Sequence, residues 1–193
     1  MKTIKHIFLY ALILLCISSC KNSVERNFIL ISENDVASLY ILPGEPDYVH
    51  LAAQDLISDV EKITGQKIPL VSEIDESKNN CIVIGSFDLI KTNDPVKQIT
   101  GNDFDNLEGK WEAYRVKNYK SNKNYLVIGG SYYRGTMFGI YDFIEQYLGV
   151  DPLYFWTDYE PKKQTELSWS EIDIFQDEPD FKYRGWFIND EDL

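Results

Sequence analysis

The chain has 193 residues, 44% hydrophobic and 26% charged, the mix of a globular protein with room for one ordinary domain, a leader and a tail. Its net charge is −12, and the first 19 residues hold two lysines and no acid, so the remainder is more acidic still. A surface of that sign repels phosphate backbones and argues against a nucleic-acid partner.

The first stretch reads as a targeting segment. Lys2 and Lys5 precede a short apolar run over 7–17, too short to span a bilayer as a stable helix. Ile17-Ser18-Ser19-Cys20 follows, and it resembles the bacterial lipobox. That motif implies removal of residues 1–19, lipidation of Cys20, and a tether over 20–27. Several acyl chains hold a protein on a membrane far better than one does. An ordinary secretory signal with a chance cysteine is the blander reading. Cys16 lies in the leader, which leaves Cys81 alone in the mature chain, without a disulfide partner or a zinc cluster. Within the apolar run Cys81-Ile82-Val83-Ile84 it is expected to be a buried, inert thiol.

The mature chain alternates strand and helix patterns. Strands are expected at 28–31, 37–42 (stopped by Pro43-Gly44), 68–71, 81–84, 113–117 and 125–128. Ala53, Leu56, Val60 and Ile63 recur at helical spacing and predict a helix over 48–64, closed by Gly65. Residues 90–110 are polar and acidic and read as a surface excursion. Met137, Ile140, Tyr141, Ile144 and Leu148 share one face of a helix expected over 134–148, ended by Gly149. Gly135 and Gly139, four apart on that helix, would let it lie close to a sheet. The fold expected is α/β of the α+β kind: a mixed sheet with two helices on one face, spanning 28–150.

The composition changes after Gly149. Residues 151–180 are rich in aromatics and read as a linker, with an exposed strand at 166–174. Tyr154, Phe155 and Trp156 could stack on sugar or pack between domains, and large aromatics favour packing. Residues 183–188 are strand-like and run into Asn189, Asp190 and Glu191. Acids at the C-terminal end of a strand sit where parallel barrels keep their chemistry.

The residues Gly130-Ser131, Arg134-Gly135-Thr136, Gly139-Ile140-Tyr141-Asp142, Gly149-Val150 with Pro152, Trp156 with Asp158, and Tyr183-Arg184-Gly185 followed by Phe187-Ile188-Asn189-Asp190-Glu191 resemble, as an ordered set, the N-terminal region of glycoside hydrolase family 115. Ala52-Ala53, Asp55-Leu56, 61–65 and Ile82-Val83-Ile84-Gly85 fit the same family. These enzymes are xylan α-1,2-glucuronidases that remove glucuronic acid or its 4-O-methyl ether. The resemblance implies a domain like the second domain of β-hexosaminidases, followed by a (β/α)8 barrel whose first strand begins within 181–193. It implies a substrate of xylan or another acidic glycan; no cofactor and no metal are expected. It makes Asn189, Asp190 and Glu191 candidates for the barrel mouth, with Asp190 the foremost for a substrate or water contact. With the lipobox it places the protein in the cell envelope, at the outer membrane or in the periplasm of a Gram-negative bacterium.

No complete catalytic set is expected in these 193 residues, since glycosidic hydrolysis usually needs two opposed carboxyl groups at a fixed separation. The chain is therefore expected to be the truncated front of a longer enzyme, inactive by itself. The alternative is a stand-alone lipoprotein module that binds a glycan or a protein without turnover. Arg134 is expected to pair with Asp142 or Glu145 along its helix rather than face the barrel. Gly129-Gly130-Ser131 before a helix resembles a phosphate cradle but lacks the lysine of a P-loop and the third glycine of a dinucleotide site. His6 and His50 have no partner that would give them a role.

Overall fold

Three apolar runs lie side by side and parallel at the centre of the molecule. In the computed structural model the described residues are 28–185. β1 (Phe28–Ile31), β2 (Ser38–Ile41), β3 (Leu70–Val71), β4 (Asn80–Ser86), β5 (Tyr114–Lys120), β6 (Asn124–Gly130), β7 (Leu167–Trp169) and β8 (Asp173–Gln176) form two sheets. The larger runs in the order β3-β2-β4-β6-β5-β8, parallel from β3 to β6 and antiparallel at β5 and β8. β1 and β7 pair antiparallel as a small second sheet.

The register decides which side chains share a face. Ser38 to Ile41 align with Cys81 to Ile84, and these with Tyr125 to Ile128. Side chains alternate across a strand, so Leu39, Ile41, Ile82, Ile84, Leu126 and Ile128 point to one side. Tyr40, Cys81, Val83, Tyr125 and Val127 point to the other. Two separate hydrophobic clusters correspond to these two faces.

The first face is covered by the two expected helices, α1 (Asp47–Thr64) and, after the short α2 and α3 described below, α4 (Tyr133–Phe143). Val49, Ala52, Ala53, Leu56, Val60 and Ile63 make the buried stripe of α1, and Gly65 ends it with φ of 76° and its N–H on the Glu61 carbonyl. α4 continues through one wide π turn, Ile144–Leu148, to Gly149 at φ of 68°. Ile140, Ile144 and Leu148 are buried as expected. Tyr141 is turned to the edge, where its hydroxyl donates to Asp55 of α1 at 2.7 Å. The glycine pair works as expected too: a Cβ on Gly135 would stand 2.4 Å from the Ala113 carbonyl oxygen.

The second face corrects the reading of 90–110 as a surface excursion. α2 (Phe87–Thr92), α3 (Asp94–Thr100) and a 3₁₀ turn at Asp105–Leu107 lie there. Phe87, Ile90, Val96, Phe104 and Leu107 are buried against the sheet. The segment is polar because each short element needs only one or two apolar residues to close a sheet face, and the rest remain in water. Asn93 caps α3, its side chain accepting from the Val96 N–H at 3.1 Å, and Pro95 occupies the first turn.

The stretch 151–180, expected as a linker, is tied back into the domain. β7 pairs with β1, and β8 extends the large sheet beyond β5. Trp169 packs edge-on against Phe143 and Tyr147 at 5.8 and 5.6 Å. Cys81 is fully buried and free, and burial pushes its thiol up, which agrees with the inert role expected.

One buried acid gives the domain a pH-dependent weakness. Glu45 follows the Pro43-Gly44 turn and accepts the Ser86 N–H at the start of α2, while its second oxygen is buried without a partner. Burial is the largest influence on its carboxyl and pushes it above the ordinary value of 4.5, against the lowering pull of Ser86 and His50. A folded value above the unfolded one means that the stabilisation is complete below the unfolded value and is lost as pH rises through the folded one. Glu45→Gln is therefore expected to be more stable than the parent at neutral pH, by about 1 kcal/mol. The gain should vanish toward pH ~3, well below the ordinary carboxyl value, where the parent acid is protonated in both states. Denaturant melts of both proteins at the two pH values measure it.

Candidate functional site

The carboxyl ends of β2, β4 and β6 form the edge where open α/β sheets usually take ligands. Here that edge is filled by the protein. The Glu45 carboxylate already occupies the amide at the start of α2. The Gly129-Gly130 pair has a packing role rather than a cradling one. A Cβ on Gly129 would overlap Phe104 and Ile90, and one on Gly130 would stand 1.9 Å from the Thr136 nitrogen. The phosphate resemblance of this loop therefore comes from close packing of α4 on the sheet.

One open concavity among the described residues lies on the α1–α4 side. It is a groove of about 620 Å³, floored by Tyr114, Phe138 and Ile144 and walled by α1, α4 and the chain after β8. Asp55, Asp59, Asp142, Glu145 and Asp177 line it, against one arginine, Arg184. Several of these acids are engaged by the fold. Asp59 accepts from the Tyr154 hydroxyl at 2.9 Å and from Lys62 at 3.2 Å. Asp55 takes the Tyr141 hydroxyl, and Asp142 takes the Gln146 amide at 2.7 Å. Asp177 pairs with Lys110. Burial, with Asp142 alongside, pushes the Tyr114 phenol up, so it is a neutral hydrogen-bonding group at any working pH. The groove can accept hydroxyl or cationic donors, and it disfavours a carboxylate ligand. Among the described residues no group of three His, Cys, Asp or Glu is arranged to hold a metal ion.

At one end of this groove sits the residue that sequence reasoning missed. Glu112 is 2% exposed and has φ of 56°, the left-handed region, which side chains other than glycine and asparagine rarely adopt. Its carboxylate lies between two guanidinium groups: Arg134 Nε at 2.7 Å from Oε1, and Arg184 Nη2 donating to Oε2 at 2.6 Å. Arg134, expected to pair with Asp142 or Glu145 along its own helix, is thus drawn to a buried acid before β5. A half-exposed helical partner cannot compete with a carboxylate that water does not reach. Next to Glu112, the Trp111 ring packs on Tyr132 at 5.3 Å and carries Lys182 over its face at 4.3 Å. Four buried polar atoms in this corner, Trp111 Nε1, Ser131 Oγ, the Tyr132 hydroxyl and Glu112 Oε1 itself, have no hydrogen-bond partner, Oε1 meeting Arg134 as an ion pair only. Nothing in the order Trp-Glu-Ala announces a left-handed glutamate, so no sequence signal would have found it.

The described chain places the other candidates only in part. Tyr154 is used by Asp59 and Lys62, while Trp156 is 86% exposed and Tyr183 90%. Residues 181–185 form no strand. Asn189, Asp190 and Glu191, with the expected first barrel strand, lie outside the described residues, as do Cys20 and the leader.

The class defined by this architecture is an α+β domain with a mixed sheet, two long helices on one face and short ones on the other. No family model matches the sequence, and no curated protein matches it either. Among solved structures the chain is similar to a family GH115 4-O-methyl-α-glucuronidase with specificity for decorated arabinogalactans, at 27% identity and a TM-score of 0.69. The likeness covers 86% of this chain and 20% of that one, so this chain spans about a fifth of that enzyme's length. The family resemblance carried by the motifs is borne out, and so is the mixed α+β sheet with two helices on one face; the start of a barrel is not shown.

Proposed function

We propose that this chain is the N-terminal accessory part of a cell-envelope glycoside hydrolase of the α-glucuronidase type, held to the membrane through Cys20. The observation that carries the reading is the likeness along 86% of the chain to a family GH115 enzyme, together with the ordered motifs that point to the same family. The substrate class is a glycan decorated with glucuronic acid or its 4-O-methyl ether. Decorated arabinogalactan stands beside xylan as a candidate, because the similar enzyme acts on the former.

The groove of this domain is a poor site for such a substituent. Its walls carry acids, and a uronate would meet like charge there. The chemistry accordingly belongs to a barrel following this domain, with Asp190 and its neighbours at the mouth.

Two measurements test the reading. The purified 193-residue chain should release no glucuronic acid or 4-O-methylglucuronic acid from glucuronoxylan or arabinogalactan above a mock preparation. Turnover would place the chemistry within this chain and overturn the assignment of an accessory role. Sequencing the gene and transcript past the codon for Leu193 should show an open frame long enough for a barrel. A stop codon there would favour a stand-alone binding module.

A further inference from the structure

Glu112 stands out as the point where several costs coincide. It combines a left-handed backbone, a buried carboxylate and three unpartnered buried polar groups nearby. Such departures collect where a fold is shaped for a task. The contacts made by this corner all lead to one place. Lys110 pairs with Asp177, the Trp111 N–H donates to Glu178 at 3.2 Å, the Trp111 ring holds Lys182, and Glu112 takes Arg184. Four contacts from a three-residue loop thus fasten the segment 177–184, which has no helix or ladder of its own.

We propose that Glu112 is a positioning residue: with Arg134 as its fixed partner and Arg184 as its detachable one, it clasps the segment after β8 and sets the direction in which the chain leaves the domain toward Asn189, Asp190 and Glu191. The two arginines have different parts. Arg134 belongs to α4 and is anchored by the helix, so it neutralises the buried acid permanently. Arg184 is on the irregular segment and reaches Glu112 only when that segment lies against the domain. Its Nη1 also donates to the Phe181 carbonyl at 2.8 Å, which folds the segment on itself as it docks. A neutral residue at 112 would leave this segment held only by rim contacts, which water weakens. The left-handed backbone at 112 aims the side chain between the two arginines; the pair Glu112–Arg184 then offsets that strain.

The clasp rests on the accessory-domain reading only for what the segment leads to. Its test uses this chain alone, so a frame that stops after Leu193 would sink that reading and leave the clasp standing. The readout is chymotryptic cleavage after Phe181, followed by mass spectrometry, with the melting temperature measured alongside. Glu112→Gly removes the carboxylate and also relieves the backbone strain, so the domain should keep its melting temperature while cleavage speeds up roughly tenfold. Arg184→Ala, at a half-exposed position, should give the same acceleration and the same intact domain. Glu112→Asp, too short to reach both arginines, should fall between. Unchanged cleavage in Glu112→Gly or Arg184→Ala would overturn the proposal. So would a drop in melting temperature for Arg184→Ala that matched its gain in cleavage, since the pair would then support the whole domain and not the segment.

Discussion

Replacing Gly130 with alanine will destabilise the domain by about 3 kcal/mol or more, enough to lower the melting temperature by roughly 10 °C. The new Cβ would stand 1.9 Å from the Thr136 nitrogen, 2.3 Å from the Gly135 carbonyl carbon and 2.7 Å from the Thr136 Cα. All three atoms are backbone, so no side-chain rotation can relieve the overlap. The first turn of α4 must lift off the end of β6, taking with it the contact of Gly135 on the Ala113 carbonyl. Gly65→Ala is the control. Gly65 is in the left-handed conformation with nothing near its absent Cβ, so alanine there meets only a backbone cost of about 1 kcal/mol. Thermal melts of the two variants separate overlap from conformational strain. If Gly130→Ala melted with Gly65→Ala, the close seating of α4 would be unimportant to the fold.

The same loop shows what the sequence could and could not reveal. A run of two glycines before a helix signals that backbone must come close to something. It does not say whether that something is a phosphate or the helix itself. Strands β4 and β6 were legible because fully buried parallel strands are continuous apolar runs. α1 and α4 were legible because each carries a long apolar stripe and a glycine that stops it. The antiparallel return of β7 to β1 was hidden, since Trp169 and Phe28 are far apart in sequence and pairing across such a distance leaves no local mark. Arg134 was assigned to its own helix because helical spacing is visible in a sequence, whereas the buried acid that draws it is visible only when β5 is in place. The site candidates Asn189 to Glu191 were read from a strand-then-acids pattern and from family resemblance, and they fall outside the described residues. The Glu112 corner is the reverse case, a feature of backbone conformation that composition cannot carry.

Phe104→Ala is expected to destabilise the domain by about 4 kcal/mol, although residue 104 sits in a stretch that reads as polar surface. Phe104 is 1% exposed and lies with Ile90 over the glycine of β6 at position 129, where no side chain fills the sheet. The missing Cβ of Gly129 and the ring of Phe104 are two halves of one packing solution. Removing the ring leaves a cavity that the short elements α2 and α3 cannot collapse into, because Asn93 pins both, ending α2 with its N–H on the Leu89 carbonyl and capping α3 through Val96. The denaturant midpoint should fall with little change in slope, and Leu153→Ala, at 63% exposure, should move it by less than about 0.5 kcal/mol. A small effect at Phe104 would return 90–110 to the surface and leave the second sheet face open to a partner. The exposed large hydrophobic side chains argue otherwise. None of them falls within 87–113, while Tyr133, Tyr141, Leu153, Trp156, Phe181 and Tyr183 are all exposed. The face closed by Phe104 is finished against water, and the exposed apolar side chains, Tyr48, Leu51 and Leu70 among them, lie outside it.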